Sequence, residues 1–85
     1  MKLMYCKECH DIVNISSVQR ICNCGKCRSV YIDSLNIEYS GPGLIIGINN
    51  THFVAALVNR MTDKKNHEFT AFFIQEDCNS TRKVR

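Results

Sequence analysis

Apolar and polar positions alternate along the first half of the chain, and the period changes once, after residue 48. Leu3 to Tyr5 reads as a short strand running into Cys6-Lys7-Glu8-Cys9. Ile12, Val13 and Ile15 follow, then a polar Ser16-Ser17 turn. Val18 to Ile21 returns toward Cys22-Asn23-Cys24-Gly25-Lys26-Cys27, which makes a hairpin-like excursion between two cysteine knuckles. Ser29 to Asp33 is β-branched and aromatic, and Leu35, Ile37 and Tyr39 alternate with Asn36 and Glu38 at the period of a half-buried strand. Gly41-Pro42-Gly43 is a turn, and Leu44 to Ile48 a short, fully apolar strand.

Beyond that strand the period becomes helical. Asn49, Asn50 and Thr51 supply N-cap candidates, and Phe53, Val54, Leu57, Val58 and Met61 fall on one stripe at helical spacing. Thr62 to His67 is a polar loop. Phe69 to Ile74 carries large apolar groups on both faces, which predicts a strand in the middle of a sheet. From Glu76 the chain turns polar. The pattern predicts an α+β fold: an N-terminal zinc ribbon joined to a small antiparallel sheet covered on one side by one helix. All of 1–85 forms a single small domain, with a zinc-ribbon part over 1–30, a sheet-and-helix part over 31–78 and a frayed tail over 79–85.

Composition narrows the picture. Eighty-five residues, 45% hydrophobic and 22% charged with one proline, describe a globular chain. A domain this size buries roughly 60–65% of its unfolded surface and often needs a metal, disulfides or a partner subunit. No apolar run approaches the ~20 residues of a membrane span, and the first residues carry no secretory signal. Six cysteines without such a signal point to the reducing cytoplasm, where close cysteines bind metal. Two-domain architectures, membrane spans and large substrate-enclosing folds are excluded. A net charge of +3, with Lys2, Lys7, Arg20, Lys26 and Arg28 in the first third and Arg82, Lys83 and Arg85 at the end, permits contact with phosphates without demanding it.

Cys6-x-x-Cys9 and Cys22-x-Cys24-x-x-Cys27 stand twelve residues apart. Two tight turns of this kind bring four thiolates to one Zn²⁺, the ion that favours a sulfur tetrahedron. An iron–sulfur cluster and a redox dithiol are the rival readings, and His10 could replace one sulfur only by folding back. Five cysteines compete for four places. A knuckle commonly turns through positive φ just after its second cysteine, where glycine is favoured, and Gly25 follows Cys24. The preferred set is therefore Cys6, Cys9, Cys22 and Cys24, with Cys27 as the alternative ligand in a rival set that pairs Cys24 with Cys27 at the better-known two-residue spacing. Four protein ligands leave no position for a reactive water, so the zinc is expected to be structural and no catalytic residue is assigned. Losing it should unfold at least the N-terminal half.

Cys78 stands apart between polar neighbours. A thiol nucleophile wants a base such as His52 or His67, and the adjacent Glu76 and Asp77 are expected to raise its pKa. Asn49, Asn50 and Thr51 at the helix start, with the Gly-Pro-Gly turn, are candidates for binding an anion or a base edge. Ordinary capping is the plainer account. Tyr31 and Tyr39 could stack a base, though packing in a thin core explains them as well.

Arg20-Ile21-Cys22-Asn23-Cys24-Gly25, Tyr31-Ile32-Asp33, Gly41-Pro42, Gly47-Ile48-Asn49-Asn50 and Phe69-Thr70-Ala71-Phe72-Phe73-Ile74 together resemble a set of short, uncharacterised zinc-ribbon-like proteins of bacteriophages and bacteria. The resemblance covers nearly the whole chain. Its pattern has Cys-x-Cys-Gly followed by a small residue where Cys27 stands, which marks Cys27 as a departure. It implies a phage accessory or anti-defence role in the host cytoplasm. The expected function is thus a non-enzymatic zinc-binding module that binds a host protein, with nucleic acid second because the basic charge is weak. The alternative is a homo-oligomer that sequesters a small nucleotide-like ligand through Asn49, Asn50 and Thr51.

Overall fold

Strand β1 (Lys2–Cys6) turns Met4 and Cys6 inward and leaves Leu3 and Tyr5 on the other face, the alternation its sequence demands. The computed structural model describes residues 2–84. β2 (Ile12–Asn14) and β6 (Gly43–Ile48) flank β1, both antiparallel, and the register sets Met4 opposite Val13 on one side and Ile45 on the other. β7 (Ala71–Ile74) completes this sheet beyond β6, giving the order β2-β1-β6-β7. A second sheet runs β3-β4-β5-β8, from β3 (Arg20–Ile21), β4 (Arg28–Tyr31), β5 (Ile37–Ser40) and β8 (Thr81–Lys83). Its last pair, β5 with β8, is parallel.

The sheets share one core. Met4, Val13 and Ile45 come from the first, Ile37 and Tyr39 from the second, and Ile15, just after β2, joins them with Cys6, Cys22 and Cys27. Among the described residues three of the nine buried apolar positions are cysteines, so the thiols occupy space that a larger domain would fill with hydrocarbon. Tyr39 is buried and so is a packing residue, while Tyr31 is half-buried and packs against the same cluster.

The helix α1 (Asn50–Thr62) is inserted in the connection between the paired strands β6 and β7. The base of the insertion is tied at several points. Asn49 N–H donates to the Thr70 carbonyl at 2.9 Å, and His52 Nδ1 and Thr70 Oγ1 share a 2.7 Å hydrogen bond. Phe53 meets Phe69 edge-on with ring centroids 5.0 Å apart. Past this neck the described residues give the helix little cover: Phe53 and Ala56 are half-buried, and none of its residues is fully buried. Among the described residues no helix is long and apolar enough to cross a membrane.

The α+β class and the succession of strands and helix agree with the sequence pattern, and four features do not. Two sheets replace one, because the residues after each knuckle open separate layers. β2 and β3 consequently do not form a hairpin but belong to different sheets. The helix does not cover a sheet; its tether to Thr70 and Phe69 holds it in the β6–β7 connection. Phe69 to Ile74 is not central, since β7 begins at Ala71 and lies at the sheet's edge with Phe73 68% exposed. Residues 79–84 are not a frayed tail either. Thr81 is 2% exposed against Ile37 in β5, and Lys83 reaches Glu76 at 3.0 Å, which fastens β8 as the cover of the β5 edge. Arg85 lies outside the described residues.

Candidate metal centre

The first knuckle leaves β1 at Cys6. Cys6 N–H donates to the Asp11 carbonyl and His10 N–H to the Cys6 carbonyl, both at 2.9 Å, so residues 6–11 close into a tight loop. The second leaves β3 at Cys22, where Gly25 N–H donates to the Cys22 carbonyl at 3.0 Å. In each loop the residue after the second cysteine has positive φ: Gly25 at 77° and His10 at 62°. The rule that singles out Cys24-Gly25 in the sequence thus applies at Cys9-His10 too, with a residue that is strained there. His10 is exposed, and its ring is held by Tyr5 Oη at 2.6 Å rather than turned to the sulfurs.

Two links join the knuckles. The Asp11 carboxylate accepts from Asn23 N–H at 3.0 Å. The Gly41-Pro42-Gly43 turn lies between them: the Pro42 carbonyl accepts from Lys7 N–H at 2.9 Å, while Gly41 sits against the Lys26 carbonyl. Sequence reasoning missed this bracket, and the only signal for it is the Gly41-Pro42-Gly43 turn around the single proline of the chain.

Together these contacts bring the Sγ atoms of Cys6, Cys9, Cys22 and Cys24 within 4.8 Å of one another. Cys6 and Cys24 sulfurs are 3.7 Å apart and those of Cys22 and Cys24 3.4 Å. Four sulfurs at ~2.3 Å from one ion in a tetrahedron are about 3.8 Å apart, so the spacing fits a tetrathiolate metal site. It is far from the ~2.05 Å of a disulfide, and all six cysteines are free thiols. Cys27 is not in this group. It is fully buried beside Met4 and Gly43, and its N–H points at Cys22 Sγ, 3.4 Å away.

The electrostatics follow from the crowding of the thiols, and by themselves do not separate Cys24 from Cys27. Burial pushes the Cys22 thiol up, but the Cys27 N–H and the sulfurs of Cys24, Cys6 and Cys9 outweigh it and bring it down to about 6. The Cys9 N–H lowers Cys6 as well. At Cys24 the Lys26 N–H favours the thiolate, yet the Cys22 sulfur, burial and the sulfurs of Cys9 and Cys6 push it up to about 12. Once the first thiolates form, only a cation lets the remaining sulfur ionise. Burial, then Cys6 and Cys22, push Cys27 up to about 12, as suits a neutral thiol in the core.

The remaining candidates lie elsewhere. Asn49 Oδ1 accepts from His52 N–H at 3.0 Å and so caps α1, with Asn50 and Thr51 exposed in its first turn. The full length of β6 separates them from the Gly-Pro-Gly turn, so within one chain the two do not share a pocket. Cys78 is exposed near β8, with the Ser80 hydroxyl 3.9 Å from its sulfur, and chiefly the Ser80 N–H lowers its pKa. This reverses the expectation from Glu76 and Asp77: a donated hydrogen bond acts directly on the sulfur. His52 bonds Thr70, and His67 Nε2–H donates to the Asp63 carbonyl at 2.7 Å, so neither is placed as a base for Cys78. Compared with protein-family models, with curated proteins and with solved structures, the chain matches none.

Proposed function

We propose that this chain is a non-enzymatic binding module whose zinc-ribbon head is stapled by one Zn²⁺ on Cys6, Cys9, Cys22 and Cys24. The observation that carries the reading is the closed set of four sulfurs at tetrahedral spacing. Zinc is preferred because it takes four thiolates in this geometry and needs no open position. With every position filled by protein, the ion would hold the two knuckles together and polarise no substrate. Six free thiols support a reducing compartment, the cytoplasm.

The module then acts by contact. The metal end exposes Lys7, Arg20, Lys26 and Arg28, a modest cationic rim that suits an acidic protein surface better than a phosphate backbone, which calls for a denser stripe. A phage accessory or anti-defence protein bound to a host protein is the setting that the resemblance of its cysteine and glycine motifs supports.

Native mass spectrometry of the purified chain tests this. One zinc per chain and no further bound mass is the expected result. Zinc with an additional mass of nucleotide size would move the protein to the ligand-sequestering class. A chain that carries no metal would overturn the staple. With a partner in hand, an affinity that falls steeply with salt would replace protein by nucleic acid.

A further inference from the structure

The end of the molecule remote from the cysteines carries apolar surface that the described residues leave uncovered. Val54, Leu57, Val58 and Met61 stand at i, i+3, i+4 and i+7 on α1, each at least half exposed, with Met61 at 76%. Phe69 behind the helix and Phe72 and Phe73 on β7 are exposed too. β7 pairs only with β6 among the described strands, so its other side is a free edge, and Ala71-Phe72-Phe73-Ile74 has none of the charges or prolines that normally guard one.

We propose that a second copy of this chain covers α1 and the free edge of β7, in a two-fold homodimer. Area is the first argument. Phe72 and Phe73 point to opposite faces of β7, and counting only one of them, the exposed fractions amount to somewhat over three fully exposed side chains. At ~150–200 Å² each that is on the order of 500–700 Å², to which pairing along the β7 edge adds backbone area, against about 800 Å² per partner in a stable complex. Composition is the second. The stripe Val54, Leu57, Val58 and Met61 contains no charge that asks for an opposite charge across the interface, so it is complementary to itself, as a two-fold contact requires. Helix stability is the third. Thirteen residues that include Thr51, Val54, Val58 and Thr62 make a poor helix in water. With no residue buried in its own chain, α1 needs its cover whenever the protein is folded, and the partner always present in step with this chain is another copy.

The dimer does not depend on the proposed binding role, and one experiment separates the two. The zinc-loaded full chain is followed by sedimentation equilibrium, with metal content measured on the same sample. The expected mass is about twice the 9.7 kDa of one chain. Val58→Glu with Met61→Glu should return it to the monomer mass with zinc unchanged, because both side chains lie outside the core. Phe73→Lys, which puts a charge beside the free edge, should weaken association at least tenfold. A wild-type monomer at ~100 µM overturns the proposal, since a stable complex of this area holds well below that concentration. So does a double variant that keeps the dimer mass. If the double variant yields no soluble protein, the wild-type dilution series and Phe73→Lys decide. A zinc-loaded monomer would sink the dimer and leave the module intact, whereas a metal-free dimer would do the opposite.

Discussion

Gly41→Ala and Gly25→Ala make a pair in which one variable is held. Both glycines have positive φ, 92° and 77°, where an L side chain costs about 1–2 kcal/mol. A Cβ on Gly25 meets nothing within 4 Å. On Gly41 it would overlap the Lys26 carbonyl oxygen, with the carbonyl carbon 2.8 Å and Cys27 Cα 3.0 Å away. Those are backbone atoms of the second knuckle and cannot swing aside as a side chain would. Overpacking of this kind adds typically 1–3 kcal/mol. The expected losses are therefore about 1–2 kcal/mol for Gly25→Ala and about 2–5 kcal/mol for Gly41→Ala. In a domain of this size 1 kcal/mol moves Tm by roughly 4–8 °C, so melting in a fixed excess of zinc resolves the two. Because Pro42 and Gly41 bracket both knuckles, Gly41→Ala should also surrender its metal sooner to a chromophoric chelator. Equal stabilities for the two variants would refute the reasoning, for then the Lys26 carbonyl yields without cost and the bracket is not rigid.

His10, at φ 62°, is a third positive-φ position but without glycine. His10→Gly and His10→Ala both lose the hydrogen bond to Tyr5, so their difference isolates the backbone; His10→Gly should be more stable by about 1 kcal/mol in urea unfolding with zinc present, and equal midpoints would count against the strained knuckle. Cys27→Ala should keep one metal per chain and a four-thiolate cobalt spectrum, at the modest cost of a small core cavity, whereas Cys24→Ala should lose one sulfur from that spectrum. The reverse pattern would reassign the ligands. Cys78, lowered chiefly by the Ser80 N–H, holds more thiolate at pH 7 than an ordinary thiol. In the zinc-loaded protein it should react with iodoacetamide faster than glutathione at pH 7, with the rate falling as pH drops and the sulfur is protonated. A rate at or below that of glutathione would contradict the hydrogen bond.

What could be read from the sequence was set by short-range chemistry. The strands near Leu3, Val30, Ile37 and Ile45 follow from alternation, α1 from its stripe, and the division of the cysteines from the glycine after Cys24. Those signals involve neighbours within one turn or one knuckle. The departures are all questions of which element covers which. Phe69 to Ile74 is apolar on both faces, which inside a single chain implies a central strand, yet β7 has a neighbour on one side only. The helical stripe implies a sheet beneath it, yet Val54 and Val58 face outward. Thr81 belongs to a segment too polar to announce burial, and it is buried because the β5 edge needs a parallel neighbour. His10 shows the converse: the glycine rule reached Gly25 and, applied to the first knuckle, would have found the same backbone under a different side chain.

These departures have one origin in how the chain distributes its apolar residues. The described residues span 45 Å by 27 by 21 Å, and their buried core includes the knuckles, where Cys6, Cys22 and Cys27 hold three of its nine positions. A core that leans on sulfur is small, and a metal on the four clustered sulfurs would make up the difference by tying Cys6 at the end of β1 to Cys22 just after β3, one strand from each sheet. Apolar residues not needed there are free to serve elsewhere. Leu57, Met61 and Phe73 are such residues: their exposure in one chain is unfavourable, and evenly scattered polar substitutions would remove it without touching the core. Their grouping on one helix stripe and one free edge makes sense if the surface is normally covered. A two-fold dimer would then complete from outside the burial that 85 residues cannot supply from within.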